Sequence, residues 1–210
     1  MPGRFFLSPH LDEIAAHFAA AADGLDDAGP RTDAAPGEEA WTLTATAGAR
    51  AIAPMRWGMI PMGRKNARGR PVMETIVNAR SETVLDKSAF AETRRAILPV
   101  SGWYEWTGEK RRKTRWRIWA PAQPILAFAA IYDVWQAPGG REVASFATLT
   151  CEPNADVRDY HHRMPVILDE AAWPLWLGEE EGDLSTILVP WTEGRLQIEE
   201  AADVMAATGH

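Results

Sequence analysis

The sequence predicts an α+β fold: mainly an antiparallel, barrel-like β-sheet with a few flanking helices. Three observations predict it. Short β-type runs recur from Trp41 to Thr150, helical spacing is confined to brief stretches, and the two do not alternate as regular βαβ units. A length of 210 residues suits one domain spanning 1–210, at roughly 100–200 residues per domain. No repeat or long linker divides it.

The first helix is predicted to begin near Ser8, a good N-cap, with Pro9 at the first helical position. Leu11, Ile14, Ala15 and Phe18 follow as an apolar stripe, and Asp23-Gly24 closes it. Residues 24–39, rich in Asp, Gly, Pro and Glu, read as a loop. Alternation over Trp41–Ala45 marks a strand, and β pattern continues from Ile52 to Ile60 in pieces broken by Pro54 and Gly58. Residues 62–72 read as a basic loop, and Asp86 as the cap of a helix reaching Arg95. Strands are predicted near 96–101, 103–107, 114–120, 124–134 and 143–150. Asp169 is predicted to cap a last helix, Glu170 to Leu177, closed by Gly178.

Composition narrows the function. Hydrophobic residues make up 46% and charged residues 24%, ordinary for a soluble globular protein. No apolar run approaches the ~20 residues of a membrane helix, and MPGRFFLSPH is not a signal peptide. The single cysteine, Cys151, excludes an internal disulfide framework and a multi-cysteine zinc site, so a reduced, cytoplasmic setting is expected. The five histidines show no zinc-ligand spacing, and the phosphate-loop, dinucleotide, nucleophile-elbow and H-E-x-x-H signatures are all missing. Neither a metal nor a cofactor is expected.

The net charge of −7 conceals a strong asymmetry. From Arg50 to Arg117 there are 16 Lys+Arg against six Asp+Glu, a net of +10. The remainder carries −17. Such a chain presents one basic face while staying soluble. Two clusters stand out, Arg64–Arg70 and Lys110–Lys113, the second followed by Arg115 and Arg117. Basic residues beside aromatic ones suit single-stranded nucleic acid; solvated hairpin tips give the same pattern. Of ten tryptophans most belong to the core, but Trp57 and Trp106 flank polar positions and read as surface platforms.

Three strings place polar residues among apolar ones: Asn78-Ala79-Arg80-Ser81-Glu82-Thr83, Ser101-Gly102-Trp103-Tyr104-Glu105-Trp106 and His161-His162-Arg163-Met164-Pro165. Glu105, between aromatics, is a candidate for desolvation and acid–base duty; the alternative is an exposed strand glutamate paired with arginine. His161 alone reads equally as a hydrogen-bonded structural histidine.

Taken with Gly3-Arg4-Phe5, Ala35-Pro36 and Trp57-Gly58-Met59-Ile60-Pro61, these strings, in order, make the sequence resemble the SRAP family, the SOS response-associated peptidases or abasic-site processing proteins. The resemblance implies a compact β-rich fold with a positive groove for single-stranded DNA. It implies capture of the open-chain aldehyde of an abasic site by an N-terminal cysteine. Carried over by motif, Asn78 orients the reacting end, Glu105 handles the α-amine proton and His161 helps open the sugar ring. Arg80 grips phosphate, Arg4 and Arg163 contact the backbone, and Pro36 and Trp57 wedge and stack at flanking bases. Single-stranded and abasic-site DNA are the implied partners of a monomeric, nucleoid-associated protein without membrane contact.

Position 2 is Pro where the family has cysteine, so a thiazolidine cannot form there and a cysteine peptidase using residue 2 is excluded. Cys151 lacks the adjacent α-amine. Two readings of Pro2 follow. Removal of Met1 exposes a secondary amine able to form an iminium with the aldehyde and to act as a lyase. Alternatively the protein is a silent paralogue that binds abasic or single-stranded DNA without covalent chemistry. A third reading, a protein-interaction or small-molecule module, predicts no salt-sensitive DNA binding.

Overall fold

A computed structural model describes residues 2–60, 68, 75–86, 90, 92–109, 112–136 and 139–201. The elements in chain order begin with β1 (Arg4–Leu7), α1 (Leu11–Phe18), β2 (Arg31–Ala34), β3 (Glu39–Thr46), β4 (Ala49–Trp57) and β5 (Asn78–Arg80). Next come α2 (Ser81–Val84), β6 (Arg94–Val100), β7 (Gly102–Glu109), β8 (Arg112–Trp119), β9 (Leu126–Gln136) and β10 (Glu142–Cys151). The chain closes with β11 (Met164–Pro165), β12 (Ile167–Leu168), α3 (Trp173–Leu177) and β13 (Gln197–Glu200).

Five strands close on themselves. β4 pairs with β3, β3 with β6, β6 with β9 and β9 with β10, and β10 returns to β4 at Arg56 and Trp57 in parallel. Closure removes the free edges an open sheet would expose. Fully buried Leu43, Ile97, Ala129 and Phe146 belong to the apolar core. β9 is buried continuously from Leu126 to Asp133, which explains its unbroken apolar sequence. A second sheet, ordered β13-β8-β7-β1-β2, adjoins the barrel through Ser101, the single residue between β6 and β7. Gly102 is required at this junction. A side chain there would put its first carbon 2.2 Å from the Ile118 carbonyl oxygen and 2.5 Å from the Phe6 ring.

The expected α+β, barrel-like architecture is observed, with local corrections. α1 starts at Leu11 rather than Ser8-Pro9, because the Ser8 N–H donates to Ser101 Oγ (3.0 Å) while the His10 N–H donates to Glu13 (2.9 Å). It ends at left-handed Ala19 (φ 49°), not at Asp23-Gly24, and Ala21 then bridges to Ala51. The loop expected over 24–39 contains β2. Pro54 does not break β4. The Ile52 N–H points away from β3 to the Ala21 carbonyl, so the Pro54 nitrogen two residues on faces the same open side and no ladder bond is lost. The helix expected from Asp86 to Arg95 is absent at its end, where Arg94 and Arg95 open β6; residues 87–89 and 91 lie outside the described residues. Most of loop 62–72, and with it basic cluster Arg64–Arg70 except Arg68, also lies outside them, as do Lys110 and Arg111. Asp169 begins the last helical segment, but its carboxylate accepts from Trp191 and Arg195 instead of capping. No helix among the described residues is long and apolar enough to cross a membrane.

Candidate functional site

β5 lies parallel to β10 with Asn78 opposite Thr148 and Arg80 opposite Thr150. The Thr148 hydroxyl donates to Asn78 Oδ1. That bond fixes which end of the amide is which, so Nδ2 is left to donate to the carbonyl of buried Pro2 at 3.2 Å. Residue 2 is thereby tied to the barrel wall.

The other side of the N-terminal segment is set by sheet register. β1 pairs antiparallel with β7, Arg4 opposite Tyr104 and Phe5 opposite Trp103. One further step along this register sets Gly3 opposite Glu105. Glu105 is 3% exposed, and burial pushes its carboxyl up to about 7. Near neutral pH it therefore exists in comparable amounts as acid and base. Its neighbour on β8 is Trp116.

Trp116 connects this strand to the histidine loop, since the Tyr160 ring packs edge-on against it at 4.9 Å. His161 Nδ1 lies 2.9 Å from the Arg163 amide nitrogen and 3.1 Å from the Arg163 carbonyl oxygen, so the Arg163 main chain fixes the ring's orientation. Burial lowers its pKa to about 4, so the ring is neutral at physiological pH. The Arg163 guanidinium is directed inward: it forks onto both carboxylate oxygens of Glu82 on α2 and donates to the Thr150 carbonyl. The pairing holds the Glu82 carboxyl below the usual carboxylate range.

Of the sequence-predicted residues, Pro2 and Asn78 are in direct contact, Glu105 lies beside the same segment, and His161 approaches through Tyr160 and Trp116. Arg80 is exposed one residue beyond buried Ala79, Pro36 is exposed just after β2, and half-exposed Arg4 stands 3.7 Å from Asp33. Trp57 is a correction. It is 1% exposed, lies parallel to the Phe146 ring and donates to the Val77 carbonyl, so it is no surface platform. Trp106 is half-buried, with the Arg115 guanidinium 5.6 Å from its ring centre. Arg163 pairs with Glu82 and with the Thr150 carbonyl. Cys151 is buried, with its thiol pushed up to about 12, and is protonated at any working pH.

Sequence reasoning counted Arg115 with the basic face and missed its burial. It is 5% exposed, lies 3.6 Å above the Tyr104 ring centre and pairs with Asp33 at 2.9 Å, fixing β2 beneath the Pro36 turn. Its signal was strand alternation: Arg115 shares a face with Arg117, a pattern a solvated strand also produces. Among the described residues no cluster of three or more His, Cys, Asp or Glu is arranged to hold a metal.

The family model described as SOS response associated peptidase (SRAP) matches residues 1–207. The chain belongs to the SRAP family. The abasic site processing protein YoqW of Bacillus subtilis is 30% identical over 201 residues, covering 91% of this chain and 88% of its own. The abasic site processing protein HMCES of Mus musculus is 29% identical over 169 residues, 65% of this chain and 47% of its own. Among solved structures, a protein from Bacteroides thetaiotaomicron superposes with a TM-score of 0.80 at 24% identity, covering 96% of this chain and 92% of its own. A Bordetella bronchiseptica protein superposes with a TM-score of 0.76 at 24% identity, covering 95% and 99%. The SRAP fold is thus shared well beyond close sequence similarity.

Proposed function

We propose that this SRAP protein recognises abasic sites in single-stranded DNA and processes them through the secondary amine of Pro2, exposed by removal of Met1. One observation carries the proposal: a buried carboxyl with a pKa of about 7 lies beside the segment whose carbonyl Asn78 holds. The amine lone pair attacks C1′ of the ring-opened sugar, forming an N–C bond while Glu105 takes the amine proton. Glu105 passes that proton to the former carbonyl oxygen, giving the carbinolamine; reprotonated from solvent, it donates a second proton to the hydroxyl, which leaves as water and gives an iminium. The iminium acidifies C2′–H. Solvent water takes that proton, the enamine so formed expels the 3′ phosphate by breaking the C3′–O3′ bond, and water then adds to the iminium carbon and releases the amine. Neutral His161 hydrogen-bonds the ring oxygen as the sugar opens. Arg4 and Arg80 neutralise phosphates, Pro36 abuts a flanking base, and the Arg163 main chain orients His161.

A second reading, non-covalent binding alone, is favoured by the missing thiol at position 2 and the inert Cys151. Borohydride trapping separates the two. Protein whose mass shows loss of Met1 is incubated with a single strand carrying one abasic site, and the adduct is mapped. A reduced adduct on Pro2 is the expected result. Binding that weakens with salt, without adduct or cleavage, retires the enzymatic reading and leaves the non-covalent one.

A further inference from the structure

The geometry points to a second ligand site, at the start of β6, that takes a small amphiphilic anion: a carboxylate or phosphate head on an apolar body. A cavity of about 570 Å³ opens there between β3, β6, β9, α2 and α3, within the range of roughly 300–1,000 Å³ usual for small-molecule sites. It shares no lining residue with the Asn78, Glu105 and His161 site, and it does not depend on the reaction proposed for that site.

Two arginines border the cavity, and neither has a carboxylate partner among the described residues. Arg95 is half-buried, its guanidinium 6.0 Å from the Trp176 ring centre. It passes close to Gly178, where a side-chain carbon would stand 2.7 Å from Arg95 Nη2. Arg94 lies 5.4 Å from the Tyr132 ring centre. Both cations are therefore preset by aromatic rings while their polar edges lack an anion. A guanidinium fork matches carboxylate or phosphate oxygens, and partial burial makes such a pairing stronger than at a bare surface.

Thr46 and Thr93 add hydroxyls to the wall, and the rest of it carries apolar side chains. Phe90, Ile131 and Leu184 line it, and Leu85, 51% exposed, stands at its edge. An apolar tail covers this surface while its charged head reaches Arg95. A fully hydrophilic anion leaves the wall wet, and an uncharged apolar molecule leaves the guanidinium unpaired.

Calorimetric titration with octanoate and with octyl phosphate tests the site, with octan-1-ol and octylamine as controls. At least one anion is expected to bind about tenfold or more tightly than either control. Which anion wins identifies the head group. Arg95→Gln is expected to weaken binding about tenfold or more, and so is Leu85→Glu, which sets a like charge against the ligand. Leu85 is exposed, so that variant keeps the test valid should Arg95→Gln not fold. Absence of binding by both anions, octan-1-ol binding as tightly as they do, or unchanged affinity in the folded variants overturns the proposal.

Discussion

The closed barrel and the five-stranded sheet beside it bury different kinds of chemistry. In the barrel strands Leu43, Ile97, Ala129 and Phe146 are sealed from water, and the buried polar Thr148 and Thr150 are side by side with β5. The sheet instead buries Glu105 and Arg115 and lays guanidinium groups on rings, Arg115 on Tyr104 and Arg117 on Phe6 at 4.5 Å. A shape-filling interior fixes positions, whereas a desolvated carboxyl changes its proton affinity. Damage to the barrel should therefore cost stability, and damage to the sheet's buried acid should cost chemistry.

The sharpest test of that division is Glu105→Gln, which removes the proton carrier and keeps the shape. Trapped adduct should fall about 100-fold or more, with the inflection near pH 7 lost from the rate profile. Its stability signature is equally specific. A carboxyl whose folded pKa is raised supports the fold fully below its unfolded value near 4.5, and that support disappears as pH rises through about 7. The variant should accordingly gain in Tm relative to the parent across that window, with the difference largest at pH 8.

On the barrel side, Trp57→Ala should cost about 3–5 kcal/mol in denaturant unfolding. Trp57→Phe should fold and keep its affinity for single strands, since the ring packs on Phe146 instead of a base. Gly102→Ala tests the junction. Its new methyl meets the Ile118 backbone oxygen, so a loss of about 3 kcal/mol is expected, read by thermal and denaturant unfolding. The smallest effect belongs to Glu82→Gln, about 1 kcal/mol for a partly solvated pair. Because the Glu82 carboxyl is held low, its contribution is present above pH 4.5 and fades as pH falls below that. The variant's deficit, measured by Tm, should be present at pH 7 and vanish in acid.

The two regions were not equally legible in the sequence. Strands β6, β9 and β10 were readable closely, because closure buries them along apolar runs such as Leu126–Tyr132, while β7 and β8 of the neighbouring sheet showed through their alternation. β2 was hidden: Arg31-Thr32-Asp33-Ala34 is polar, and its strand form comes from pairing with β1 and from Asp33 meeting Arg115. Asn78, Glu105 and His161 were visible as motif residues, and the carboxyl's desolvation was anticipated from its aromatic neighbours. Trp57 was misread because local sequence shows a tryptophan next to basic residues but not the Phe146 that covers it. The pairing of Arg163 was hidden for the matching reason. Its partner, Glu82, is 81 residues away, and nothing local distinguishes an inward arginine from an outward one.

The pairing of β1 with β7 has a consequence in time. Arg4 meets Tyr104 across a hundred positions of chain, and Asn78 meets Thr148 across seventy. Loops of that length close slowly, so the fold belongs with slow, non-local topologies. A chain still emerging from the ribosome has residue 2 but neither Glu105 nor the histidine loop beside it. The amino end thus meets its chemical surroundings only after at least 161 residues have been made, and a chain cut short of the histidine loop lacks part of the site.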